Sequence, residues 1–212
     1  MRRRRFLSTA SGAIIFSSGC IVKNQKKKDS GEKKPKTLKE KLDAGGWSLK
    51  EEEDETITKE TPVGKVDAVT NTKLYRNGGN SQEKLGARFF FVTRSDIKGL
   101  PFGFSRAVDA AAKQAKTKFV EKMKAEGLSN IKKTDNVDKN IGGNRRKIHV
   151  YSAEAKNQVG DSVKYSGMLT VWGDSSERKV FVTGGIYPDE PVDGGTPSEY
   201  RSEILDLMSS VK

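Results

Sequence analysis

Cysteine and histidine are nearly absent: the 212-residue chain has one of each, Cys20 and His149. A single cysteine excludes an intrachain disulfide. A protein metal site draws on several nitrogen or sulfur ligands, which Cys20 and His149 cannot supply, so neither a metal nor a cofactor is expected. No apolar run reaches the length of a membrane span. The stretch from Phe6 to Phe16 covers about 11 residues, against roughly 20 for a helix crossing a bilayer. Motifs of catalysis are missing too. There is no Gly-X-Ser-X-Gly nucleophile turn, no Gly-rich phosphate loop ending in Lys-Ser/Thr, and no dinucleotide fingerprint, so no enzyme is expected.

Apolar residues make up only 33% of the chain, and the shortage is concentrated in its first third. That pattern describes a polar lead-in followed by an ordinary domain. The net charge of +12 has the same location. Arg2 to Arg5 supply four positive charges, and residues 23–41 hold nine Lys against Asp29, Glu32 and Glu40. The remainder is close to neutral. A nucleic-acid-binding domain carries its basic surface on the fold itself, so no nucleic-acid partner is expected unless the leader stays attached.

The first twenty residues, MRRRRFLSTASGAIIFSSGC, run from a charged block through an apolar stretch to small residues. This is the order of an export signal. Arg3-Arg4-Arg5-Phe6-Leu7 resembles the twin-arginine export motif, with Arg3, Arg4, Phe6 and Leu7 at its fixed positions. That resemblance implies folding before export. Ser17-Ser18-Gly19-Cys20 resembles a lipoprotein processing site, which implies a lipid on the Cys20 thiol and cleavage before it. Residues 1–19 are therefore read as the signal, and residues 20–46 as a lipidated cysteine followed by a Lys-rich disordered tether. The tether's lysines suit either simple solubility or attraction to an anionic membrane surface.

Residues 47–212 read as a single α+β domain: a mainly antiparallel sheet with a long central helix and a C-terminal helix packed on it. Alternation marks a hairpin over 55–75, an apolar strand over 87–93, and further strands over 145–153, 163–172 and 179–187, with a weaker one around 131–137. Ser105 stands where a cap would open a helix ending near Gly127, whose stripe is Val108, Ala111, Ala112, Ala115, Phe119 and Met123. Thr196-Pro197-Ser198-Glu199 reads as a capping box before a second stripe, Tyr200, Ile204, Leu207, Met208 and Val211. The element order resembles the PsbP-like fold. The leader, the Lys-rich spacer and the segments Phe90–Arg94, Tyr165–Asp174 and Gly184–Pro188 resemble lipoproteins of haloarchaea, a group whose domain has no assigned function.

Two readings of the domain's chemistry stay open. Arg145, His149, Tyr151, Tyr165 and Trp172 form a ligand patch if they share one sheet face, since aromatics beside an arginine suit an acidic or planar group. Otherwise Tyr165 and Trp172 are core and the rest is solvated. The leading expectation is a lipid-anchored binding or assembly-accessory domain at the extracytoplasmic face of the cell membrane, with a membrane or envelope protein as partner. The alternative is an extracytoplasmic hydrolase or transferase with its site near His149. The acid run Glu51 to Glu55 is read as a solvated patch.

Overall fold

The computed structural model describes residues 39–61, 64–78, 86–99, 103–156, 160–192 and 194–211. Arg3, Arg4, Phe6, Leu7 and Cys20 lie outside the described residues.

Seven strands form one antiparallel sheet: β1 Ser48–Thr61, β2 Gly64–Asn77, β3 Arg88–Lys98, β4 Ser129–Ile141, β5 Asn144–Lys156, β6 Ser162–Asp174 and β7 Lys179–Pro188. Their order across the sheet is β1-β2-β3-β7-β6-β5-β4, which leaves β1 and β4 at the edges. Three helices complete the chain: α1 Lys39–Ala44, α2 Phe104–Ala125 and α3 Pro197–Ser209.

Of the described residues 56% are in strands and 27% in helices. The expected α+β, PsbP-like architecture with a long central helix is thereby corrected to a mainly-β one. The reason is strand length. Charged residues read as turns or surface patches are paired strand residues here: Glu51, Glu52, Glu53, Asp54 and Glu55 all stand opposite β2. An edge strand accepts such a run because one side of it needs no hydrophobic neighbour. The same holds for β4, which is exposed along most of its length and carries two register shifts.

Alternation divides the core between the two sheet faces. On one face Tyr75, Phe90, Val92, Ile148, Met168, Trp172 and Phe181 pack under Ile204, Leu207 and Met208 of α3. On the other, Leu74, Phe89, Tyr151, Tyr165, Leu169 and Ile186 pack under Ala115, Phe119 and Met123 of α2. Small residues let α2 approach closely. A Cβ on Gly173 would lie 2.4 Å from Val108 Cγ2, and one on Gly167 3.0 Å from Phe119 Cζ. The helix opens at Gly103 rather than at Ser105. Gly103 has a left-handed backbone (φ 88°) and no side chain to cap with, so Ser105 falls inside the first turn. α3 starts at the expected box: Thr196 Oγ1 accepts from Glu199 N, and the Glu199 carboxylate accepts from Thr196 N.

The folded part begins before residue 47. Leu42 of α1 is buried in the α3-side core, so residues 39–46 belong to the domain rather than to the tether. A polar latch holds this segment. Arg88 is ion-paired with Glu203 and donates to Asn77 Oδ1 at 2.8 Å. Its guanidinium lies 5.7 Å from the Trp47 ring centroid and 4.8 Å from that of Tyr200. Trp47 Nε1 donates to Glu203 Oε1 at 2.7 Å, and Asn77 Nδ2 donates to the Gly45 carbonyl. Lys41 adds an ion pair to Asp206 at 2.5 Å. The latch ties the start of the domain to its last helix.

Candidate functional site

The five residues of the sequence-derived patch do not share a surface. Trp172 faces α3, stacked on Phe181 with centroids 5.1 Å apart, and Arg146 rather than Arg145 lies over it at 4.7 Å. Tyr151 and Tyr165 face the other way and are core residues beneath α2. Phe119 meets the Tyr151 ring edge-on at 5.3 Å, and the Tyr165 hydroxyl accepts from Gly86 N at 3.0 Å. Burial raises both phenols above their usual range, so both stay protonated and uncharged near neutral pH. The patch is corrected to two accessible members, His149 and Arg145, on the α2 side of β5.

These two residues stand at an open margin of the sheet. β4 is exposed along most of its length, and His149 and Arg145 of its neighbour β5 are not buried. Register then decides what gathers there. His149 stands opposite Asn136, Lys147 opposite Asp138, and Lys133 opposite Tyr151, so all six lie on the α2 face. Lys116 of α2 follows buried Ala115 and reaches the same margin, where its charge acts on His149. His149 Nδ1 is 2.6 Å from Asn136 Oδ1. With that oxygen as acceptor, Nδ1 carries the hydrogen and donates, and Nε2 keeps a free lone pair.

The electrostatics are one-sided. The sole carboxylate placed on this face by the β4–β5 register is Asp138, which is held by Arg145 at 3.2 Å. Among the described residues Lys116, Lys133 and Lys147 have no carboxylate partner. Half-burial first, then these three lysines, push the His149 imidazole down to about 4. The ring is therefore neutral at physiological pH, a weak base whose orienting neighbour is an amide rather than a carboxylate. Such a margin attracts anions; a Ser/His/Asp-type relay would need a carboxylate behind the ring.

A pH dependence follows. The folded-state pKa of His149 lies below its unfolded value near 6.5, so the unfolded chain binds the proton first. The contribution is complete above about pH 6.5 and is lost as pH falls through about 4. His149→Gln should flatten the stability profile in that window and leave it unchanged above pH 7. Urea midpoints across pH 4 to 8 measure this; identical slopes for both proteins would contradict it.

The face under α3 holds a second polar group. Asn71 and Arg94 are cross-strand partners, both buried. Asn71 Nδ2 donates to Asp54 Oδ1 at 2.6 Å, and Arg94 is paired with Asp96 at 2.6 Å. Asn71 Oδ1 and Arg94 Nε have no partner among the described residues. Both atoms are sealed from solvent, so this group offers nothing for a ligand to reach.

The family described as "Domain of unknown function (DUF6517)" matches residues 34–212. The chain belongs to this family. Its span takes in the three helices, the whole sheet and the His149 margin, and it begins after Cys20. No curated protein and no solved structure matches the chain. Among the described residues no helix is long and apolar enough to cross a membrane, and no cluster of three or more His, Cys, Asp or Glu could hold a metal ion.

Sequence reasoning missed Lys116, Lys133 and Asn136 as neighbours of His149, whereas Lys147, two positions away on β5, is legible as one from strand alternation. Nothing in one sequence sets the register of β4 or the line that α2 takes across the sheet.

Proposed function

We propose that the protein is a lipoprotein anchored through Cys20 at the extracytoplasmic face of the membrane, with the domain from residue 39 acting as a binding or assembly-accessory module. The observation that carries the reading is the leader. A block of arginines, Arg3-Arg4-Arg5-Phe6-Leu7, an apolar stretch and small residues lead directly into the chain's sole cysteine. The chain between Cys20 and Lys39 is short, so the domain can sit no farther than roughly 65 Å from the lipid. Its lysines favour an anionic surface within that reach. The latch on α1 supports a tethered role, since any pull from the anchor meets Trp47, held by Glu203 and Arg88, before it reaches β1.

A catalytic role for His149 draws less support, because its neighbours are Asn136 and lysines. The test is fractionation of the Cys20→Ala protein. It should leave the membrane fraction for the soluble or secreted one, and any envelope protein that co-purifies with the unsubstituted chain should be lost with it. Equal membrane retention of both proteins would overturn the anchor.

A further inference from the structure

The His149 margin gathers more donors than acceptors on one face of the sheet. The β4–β5 register sets Lys133 and Lys147 on the same face as His149, and the charge of Lys116 on α2 acts on the same ring. Asn136 uses its oxygen on His149, so the donors of its amide are not spent on that bond. Asp138, the carboxylate on the same face, is engaged by Arg145. Leu169 of β6, the residue opposite His149, is apolar and brings no compensating charge.

We propose that Lys116, Lys133, Lys147, Asn136 and His149 form a binding site for a phosphate group. Three ammonium groups match a group of charge near −2 that has three acceptor oxygens. A carboxylate would satisfy fewer of these donors and offset less of the charge. Entry of the phosphate reverses the field at the imidazole, so His149 takes up a proton at Nε2 and donates it as a further hydrogen bond. Binding is thus coupled to proton uptake at one identified atom. The site deepens the reading of the domain as a binding module by naming its ligand chemistry, and it rests on that reading only for its biological use.

His149 is the chain's sole histidine, so its ring resonances are unambiguous in a labelled sample. The experiment follows them by NMR against pH in the full chain carrying Cys20→Ser. Three conditions are compared: sodium chloride, inorganic phosphate at matched ionic strength, and vesicles of phosphatidylglycerol beside vesicles of phosphatidylcholine. Millimolar phosphate should raise the His149 midpoint by at least about one unit over chloride. A shift with phosphate supports the site with a soluble phosphate compound as ligand. A shift confined to phosphatidylglycerol vesicles supports it with a lipid headgroup as ligand. The Lys116→Gln, Lys133→Gln, Lys147→Gln variant should titrate closer to the ordinary histidine value in chloride and lose the phosphate effect. Lys133 and Lys147 are exposed and Lys116 is half-buried, and the amide spectrum reports whether the variant remains folded. No shift with phosphate or with either vesicle overturns the site. The result is independent of the anchor, which the Cys20→Ala fractionation tests by itself.

Discussion

Gly184→Ala should unfold at a clearly lower temperature than the unsubstituted protein, although Gly→Ala in a strand ordinarily stabilises through the unfolded chain. A Cβ at Gly184 would lie 2.3 Å from the Met168 carbonyl oxygen and 2.8 Å from Phe91 Cε1. The first of these is backbone of the neighbouring strand, held by the β6–β7 ladder, and it cannot step aside without breaking pairing. Gly185 presents the same problem on the opposite face, where a Cβ would meet Ile204 of α3 at 2.6 Å and the Phe89 carbonyl oxygen at 2.9 Å. The Gly-Gly pair thus lets β7 sit in the middle of the sheet with Phe91 over one side and Ile204 over the other. Overpacking of this kind costs about 1–3 kcal/mol, and contact with backbone puts Gly184 at the upper end. For a domain of this size that is a drop of roughly 5–10 °C in midpoint. Differential scanning calorimetry measures it. An unchanged or higher midpoint would mean that β6, β7 and β3 are not spaced as described.

The second large effect is expected at Arg88. Arg88→Leu removes the ion pair to Glu203, the hydrogen bond to Asn77 and the cation between the Trp47 and Tyr200 rings in one step. Among the described residues the partner carboxylate then keeps only the Trp47 indole donor. Removing one member of a fully buried pair costs about 3–5 kcal/mol, and the partial exposure of this pair (side chains 19% and 27%) reduces that to roughly 2–3. The loss should be local before it is global, because α1 and Trp47 depend on the latch while the sheet does not. Fluorescence separates the two. The chain has two tryptophans, so in a Trp172→Phe background the emission reports Trp47 alone. Adding Arg88→Leu to that background should red-shift the emission at denaturant concentrations where the sheet persists. Adding Glu203→Gln should then recover part of the stability, since it removes the unpaired charge. If Trp47 emission does not move before global unfolding, the latch does not hold α1.

Much of the local structure could be read from residue pattern. Tyr200, Ile204, Leu207, Met208 and Val211 are all buried, and Thr196 and Glu199 form the reciprocal cap expected of them. The alanine spacing of α2 marked its buried face, and alternation on β5 separated Ile148 from His149. Three features escaped for physical reasons. The full lengths of the acidic β1 and the polar β4 are not legible beyond 55–60 and 131–137, because edge strands bury little and carry no sustained hydrophobic period. A weak helix over 37–42 is legible in the sequence, but that it belongs to the domain is not, because a single residue, Leu42, anchors it and the neighbouring Trp47 is latched through residues more than a hundred positions away. The patch failed at Trp172, since faces were assigned strand by strand without knowing which helix covers which face. The near-neutral charge of the domain also hid the basic margin, because the acids cluster on β1 and the lysines on α2, β4 and β5. A net charge does not reveal segregation of this kind.

The central claim is that Cys20 carries a lipid and holds the domain at the membrane. The most direct measurement is mass spectrometry of the N-terminal peptide of the protein purified from its own membranes in mild detergent. The account predicts a chain that begins at Cys20 and bears the added mass of a lipid. A peptide that still carries Arg2 to Arg5, with Cys20 unmodified, would contradict it.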